Sequence, residues 1–325
     1  MARPKVYVTR QIPQEGIEVL QASCDVEINP DDRPLTRQEL LENVRGRDAV
    51  LCLLTDRIDA EVYEAAAGIK GVANYAVGYD NIDVPEATKR GIPVSNTPGV
   101  LTDATAEMAW ALLFAAGRRM VESDAVMRSG QWKGWGPMQF IGGDVTGATL
   151  GIVGAGRIGT AMALKSRGFR MKVLYSDAFC NETLEKELGA RKVGLEELLQ
   201  ASDFVSIHVP LMPETRHLFG KKEFQLMKKT AYLINTARGP IVNETELVQA
   251  LQTGEIAGAG LDVYEKEPLM VEGLAELDNV VLTPHTASAT KSSRGGMARI
   301  AAENILAMLK GEKAPSCINP DVYTQ

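Results

Sequence analysis

Short apolar runs alternate with amphipathic stretches along the first hundred residues. Lys5–Thr9 reads as a strand, and Pro13–Ala22 as a helix opened by a proline. Thr36 and Glu39 have the spacing of a capping box ahead of Leu40 and Leu41. Ala49–Leu54 reads as a buried strand, with Asp59 placed to cap the helix after it. Val72–Val77 is expected to be a strand running into a turn at Gly78, and Ile92–Ser95 closes the series. This order predicts a short parallel α/β domain.

The pattern changes near Leu101. Thr102–Arg118 is strongly helical, whereas Arg128–Val145 is irregular and holds Trp132 and Trp135. Ala148–Val153 is an apolar strand, followed by a glycine cluster and an amphipathic helix to about Arg167. Further strands are predicted at Met171–Tyr175, Phe204–Val209, Ala231–Asn235, Ala257–Leu261 and Val280–Leu282. Between them, helices are predicted at Leu195–Gln200, Lys221–Met227 and Glu244–Gln252. Repeated units of this spacing predict a doubly wound parallel sheet. A last helix, from about Ser292 to Leu309, stops at Gly311.

Composition narrows the function class. A chain of 325 residues suggests two domains. The formal net charge is −7 with no basic stripe, which argues against nucleic-acid binding. Cys24, Cys52, Cys180 and Cys317 lie far apart and make no metal-ligand spacing, so no metal is expected. The N-terminus runs straight into a strand and no apolar run is long enough for a membrane span. A cytoplasmic protein is expected.

The glycine cluster is Gly154-Ala155-Gly156-Arg157-Ile158-Gly159. A lone G-x-G-x-x-G is weak evidence, but one set between a strand and a helix predicts a dinucleotide site. Gly154 allows a tight turn, Gly156 lets the backbone approach a pyrophosphate, and Gly159 lets helix and sheet pack closely. The helix start offers free N–H groups to the phosphates, with Arg157 adding charge. Asp177 follows the next strand, where a carboxylate accepts from ribose hydroxyls and repels a 2′-phosphate. NAD(H) is therefore expected in preference to NADP(H).

Polar groups recur at the carboxyl ends of the predicted strands, where open α/β sheets bind ligands. They are His208-Val209-Pro210, Asn235 to Gly239, Asp262, and Pro284-His285. His285 is expected to be a proton carrier facing an interdomain cleft, and His208 to pack near the cofactor. A guanidinium at Arg238 suits a substrate carboxylate or carbonyl oxygen. Glu267 is suited to accept the second imidazole proton of His285.

Six ordered stretches then carry a resemblance over nearly the whole chain: 74–83, 96–107, 151–159, 234–239, 260–268 and 284–290. The chain resembles the D-isomer-specific 2-hydroxyacid dehydrogenase family, and within it the glyoxylate/hydroxypyruvate reductases. The resemblance implies two Rossmann-like domains, with the cofactor domain inserted into the substrate domain. Residues 1–101 and 285–325 would form the substrate domain, and 102–284 the NAD domain. It implies Arg238, Glu267 and His285 as the catalytic set, with Val77 and Gly78 offering backbone N–H groups to the substrate carboxylate. Leu101 and Thr105 would lie beside the nicotinamide, and Asp262 would meet its carboxamide. His208 to Pro210, Thr236, Ala237, Arg238, and His285-Thr286-Ala287 would also touch the cofactor. Trp132–Phe140 resembles a loop whose tryptophan, here Trp135, reaches the partner's active site in a homodimer formed through the cofactor domains.

Ala287 departs from the glycine common in the family and adds a methyl beside the nicotinamide. The expected reaction is NADH-dependent reduction of glyoxylate, and of hydroxypyruvate, to the 2-hydroxy acid. Another small 2-hydroxy acid, 3-phosphoglycerate or phosphite remains open as substrate, as does a non-enzymatic NAD-sensing scaffold or corepressor.

Overall fold

The computed structural model describes residues 2–324. The chain forms two compact units: one runs up to Leu101 and resumes at Ala289, and the other is Thr102–Ser288.

The first unit opens with β1 (Lys5–Val8), α1 (Gln14–Gln21), β2 (Asp25–Ile28), α2 (Arg37–Asn43) and β3 (Ala49–Cys52). It continues through α3 (Ala60–Ala65), β4 (Val72–Asn74), α4 (Val84–Lys89) and β5 (Val94–Ser95). The five strands pair in parallel in the order β2-β1-β3-β4-β5. The Thr36–Glu39 capping box is present at α2. Asp59 stands at the N-cap of α3 but makes no cap bond, because Arg37 and Arg57 take its carboxylate. The fourth strand ends at Asn74, short of the expected Val77, since the Asn74 side chain turns the following residues into a loop by bonding the Gly78 carbonyl.

The second unit begins with α5 (Thr102–Gly117) and α6 (Met120–Arg128), then β6 (Thr149–Val153), α7 (Arg157–Lys165) and β7 (Lys172–Ser176). Next come α8 (Glu182–Leu188), β8 (Arg191–Lys192), α9 (Leu195–Ala201), β9 (Phe204–Ile207) and α10 (Lys221–Leu226). The unit ends with β10 (Tyr232–Asn235), α11 (Glu244–Gln252), β11 (Gly258–Leu261) and β12 (Val280–Leu282). Its seven parallel strands run in the order β12-β11-β10-β9-β6-β7-β8. The chain reverses its direction of winding between β6 and β9, which makes their carboxyl ends a switch-point crevice.

Strand side chains alternate between two cores, as period-two geometry requires. Leu150, Ile152, Phe204 and Ile234 join Trp110 and Leu113 of α5 and Met162 of α7 on one face. Val153, Val205, Ile207 and Leu233 join Leu198, Phe224 and Leu247 of α9, α10 and α11 on the other. Helix α12 (Lys291–Leu309) returns to the first unit and packs on α1.

Elements without a buried stripe escape the sequence pattern. Helix α6 has no buried residue, β2 alternates only between half-buried and exposed positions, and β8 is a two-residue edge strand.

Candidate active site

The glycine turn joins β6 to α7 at the switch point. Gly154 has φ +95°, a left-handed conformation that disfavours a side chain, and a Cβ there would lie 2.6 Å from the Val209 nitrogen. A Cβ at Gly159 would sit 2.0 Å from the Gly154 carbonyl oxygen, so only glycine lets the helix start this close to the strand. At Gly156 a Cβ would meet nothing within 4 Å. That open face, beside the unpaired N–H groups of the first turn of α7, is the shape a pyrophosphate needs. Arg157 is exposed, Ile158 half-buried and Ala155 buried.

Asp177 follows β7 and touches the same turn. Its Oδ2 accepts from the Ala155 N–H at 2.7 Å, and its Oδ1 accepts from the Phe179 N–H at 3.0 Å. Each oxygen keeps acceptor capacity for a ribose hydroxyl. Asn181, which the sequence pattern does not mark, holds the turn by donating to the Ala155 carbonyl and the Thr160 hydroxyl, both at 2.8 Å.

His208 follows β9. Its N–H donates to the Val153 carbonyl, and its Nε2 lies 2.8 Å from the Ser206 hydroxyl. Burial pushes its imidazole down to about 3, so it is neutral at physiological pH. Val209 is half-buried and Pro210 exposed. After β10, the Thr236 hydroxyl is buried with no hydrogen-bond partner, a group that a bound dinucleotide would satisfy. The open Gly156 face, the ribose-ready Asp177 and this orphaned hydroxyl fit a dinucleotide along the strand ends.

Arg238 lies on a loop tied by Asn235, whose amide donates to the Arg238 carbonyl and accepts from the Ala237 N–H, both at 3.0 Å. At the adjoining Gly239, a Cβ would overlap the Tyr264 carbonyl carbon at 1.9 Å. This contact presses the Arg238 loop against the loop that carries Glu267. Glu244, the first residue of α11, braces the same loop by accepting from the Glu265 N–H at 2.8 Å. Nothing in the sequence pattern separates Glu244 from an ordinary first-turn carboxylate.

His285 has φ +52°, and its Nδ1 lies 2.8 Å from Glu267 Oε2. The other Glu267 oxygen accepts from the Tyr264 N–H at 3.1 Å. Partial loss of solvent would raise the Glu267 carboxyl. The hydrogen bond and charge of His285, the Tyr264 N–H and the Arg238 charge more than offset this and hold it below its ordinary value. Asp262 is fully buried beneath His285. Its carboxylate accepts from the Thr283 hydroxyl at 2.6 Å and from the Thr286 and Ala287 N–H groups at 2.8 and 2.7 Å. In the structure Asp262 therefore builds the loop that presents His285. His217 pairs with Glu265 rather than with any strand-end group.

Thr105 is buried in the first turn of α5, and Trp135 is 83% exposed. In the first unit, Leu101 is buried, and Val77 and Gly78 are half-buried on the loop after β4.

A model of the D-isomer specific 2-hydroxyacid dehydrogenase NAD binding domain matches residues 110–287. A glyoxylate reductase of Thermococcus litoralis is 52% identical over 326 residues, covering 99% of this chain and 98% of its own. One from Korarchaeum cryptofilum is 52% identical over 322 residues, 98% and 97% of the two chains. Among solved structures, a protein from Thermus thermophilus superposes with a TM-score of 0.89 at 43% identity, covering 97% of this chain and 99% of that one. An NADPH-dependent glyoxylate/hydroxypyruvate reductase from Sinorhizobium meliloti, in complex with NADP and malonate, superposes with a TM-score of 0.87 at 31% identity, with 98% of both chains covered.

Proposed function

The chain belongs to the D-isomer specific 2-hydroxyacid dehydrogenase family and is an NAD-dependent enzyme of small 2-hydroxy and 2-oxo acids, and from that premise we propose that it reduces glyoxylate, and also hydroxypyruvate, with NADH. The observation that carries the chemistry is the 2.8 Å His285–Glu267 pair with the Arg238 charge acting on the same carboxylate.

NADH, when bound, would supply the hydride that reduces C2 of the 2-oxo acid. Glu267 holds the Nδ1 side of His285, which leaves Nε2 to deliver a proton to the carbonyl oxygen. Arg238 polarises that oxygen and stabilises the charge that develops on it. The Val77 and Gly78 N–H groups hold the substrate carboxylate. His208, neutral at working pH, would line the coenzyme site and carry no proton in the cycle. Leu101 and Thr105 would hold the nicotinamide end of the coenzyme, and the methyl of Ala287 would limit substrate size.

NADH is preferred because the Asp177 carboxylate repels a 2′-phosphate. Family membership alone does not fix that preference, as the NADPH-dependent Sinorhizobium relative illustrates. Steady-state assays of glyoxylate, hydroxypyruvate, pyruvate and phosphorylated acids with each coenzyme test both points. The greatest kcat/KM is expected for glyoxylate with NADH; a phosphorylated substrate or an NADPH preference overturns the corresponding part.

The active species is proposed to be a homodimer formed through the second unit. Met120, Met127, Trp132, Trp135, Met138 and Ile141 are large apolar side chains exposed within residues 120–141 of that unit, and burial against a second copy would remove them from water. Within the dimer, Trp135 reaches the partner's active site. Light scattering is expected to give twice the chain mass of 35.2 kDa, and a monomer defeats the proposal. Among the described residues no helix is long and apolar enough to cross a membrane, and the four cysteines are unpaired. A reducing cytoplasm suits such a chain.

A further inference from the structure

The loop after β4 has each of its carbonyls from residue 76 to 78 held by a donor. The Ala76 carbonyl accepts from the Thr97 N–H at 2.9 Å, and the Val77 carbonyl accepts from Asn96 Nδ2 at 2.7 Å. The Gly78 carbonyl accepts from Asn74 Nδ2 at 2.9 Å. Three successive carbonyls are thus captured, while the Val77 and Gly78 N–H groups donate to nothing among the described residues of this unit.

A trans peptide is planar, with its N–H antiparallel to its C=O. The Val77 N–H shares a peptide with the Ala76 carbonyl, and the Gly78 N–H with the Val77 carbonyl. Those two carbonyls face the adjacent residues Thr97 and Asn96, so both N–H groups are turned away from that segment, toward the same side. Two neighbouring N–H groups presented together make an anion-binding nest. A donor on each carbonyl also polarises the peptide and strengthens its N–H as a donor.

The side chains that hold the nest are themselves fixed. Asn74 has no exposed surface; its second amide hydrogen goes to Asn81 Oδ1 at 3.1 Å, and its own oxygen takes the Cys52 thiol at 3.6 Å. Asn81 in turn donates to the Leu53 and Asp56 carbonyls at 3.0 and 2.9 Å. The Asn96 backbone is gripped on both sides, by Asn304 of α12 at 3.2 Å and by the Ser316 carbonyl at 3.3 Å. A buried amide contributes less to stability than an apolar side chain of similar size, so Asn74 and the amides linked to it around residues 76–78 point to a geometric duty.

We propose that Asn96, with Asn74 behind it, is a positioning residue: it sets the peptide planes of residues 76–78 so that the Val77 and Gly78 N–H groups bind the substrate carboxylate as a preformed pair. This rests on the reading of the site given above. Asn96 touches no reacting atom, so its loss weakens carboxylate binding and leaves the chemical step and the coenzyme site alone.

The test is Asn96→Ala beside the conservative Asn96→Ser, with melting temperatures measured on both. Asn96→Ala should raise the KM for glyoxylate and the inhibition constant of oxalate together, by about tenfold, while kcat and the KM for NADH stay within about threefold. Asn96→Ser should recover part of the loss. Unchanged glyoxylate and oxalate constants in a folded variant overturn the proposal. A parallel fall in every parameter, or failure of both variants to fold, assigns Asn96 to general stability and overturns it as well. Wild-type protein inactive on every 2-oxo acid defeats the functional reading and takes this inference with it. Wild-type turnover with an unmoved Asn96→Ala defeats this inference alone.

Discussion

Replacing Glu267 by Gln removes one charge and keeps the shape of the side chain. In the native site Glu267 Oε2 lies 2.8 Å from His285 Nδ1, and the two side chains are 30% and 25% exposed. Opposite unit charges at about 4 Å attract by about 4 kcal/mol at an effective dielectric of 20. Partial solvent access lowers that figure, and charge-assisted hydrogen bonds in proteins contribute about 1.5–3 kcal/mol. About 2 kcal/mol of this is expected to be specific to the protonated imidazole, which corresponds to about a 30-fold loss in kcat. The Gln amide can still bond Nδ1, so the imidazole remains oriented and coenzyme binding is retained. Steady-state kinetics of glyoxylate reduction from pH 5 to 9, with NADH binding followed by fluorescence, measure each part. A variant with wild-type kcat and an unaltered pH profile would refute the role given to Glu267.

The lowered Glu267 carboxyl carries a linked stability prediction. A depressed folded value gives stability that is complete above the unfolded value of about 4.3 and is lost as pH falls through the folded one. Urea titrations below pH 5 should therefore show a smaller acid loss in Glu267→Gln than in the wild type.

His285→Ala should abolish most turnover while NADH still binds; near-normal kcat would exclude His285 as the proton donor. His208 has the opposite linkage from an ordinary paired histidine: its folded value lies near 3, so only the unfolded chain takes up a proton as pH falls below about 6.5. Stability should drop by at most about 1.4 kcal/mol per pH unit there, and His208→Gln should flatten that slope in denaturant titrations. Asp177→Ser should narrow the ratio of NADH to NADPH kcat/KM by relieving repulsion of the 2′-phosphate, and an unchanged ratio would count against Asp177 as the discriminator. Gly159→Ala forces a methyl to within 2.0 Å of the Gly154 carbonyl, so loss of NADH binding together with a lower melting temperature is expected.

The legible part of the fold is whatever carries a period. β6 and β10 to β12 fall where their apolar runs are, and Glu244–Gln252 is a helix over the expected residues. Helix α6 escapes the pattern because it buries nothing, and Asp59 makes no cap because an N-cap residue type says nothing of distant arginines. The glycine turn is legible because sterics confine Gly154 and Gly159 to glycine, while Gly156 keeps its face open. The strand-end groups are legible because parallel α/β topology sends every such end to one edge.

Sequence therefore determined the layers, the dinucleotide turn and the identity of the candidate reacting groups, all of which follow from local spacing and side-chain type. Tertiary structure supplied the surroundings of the two histidines: burial holds the His208 imidazole well below its ordinary value, while His285 meets Glu267 at 2.8 Å across seventeen intervening residues. It also assigned Asp262, Asn181, Asn235 and Glu244 to building loops. Whether a carboxylate or amide faces ligand or backbone depends on which N–H groups distant segments leave unpaired, and one-dimensional spacing does not encode that.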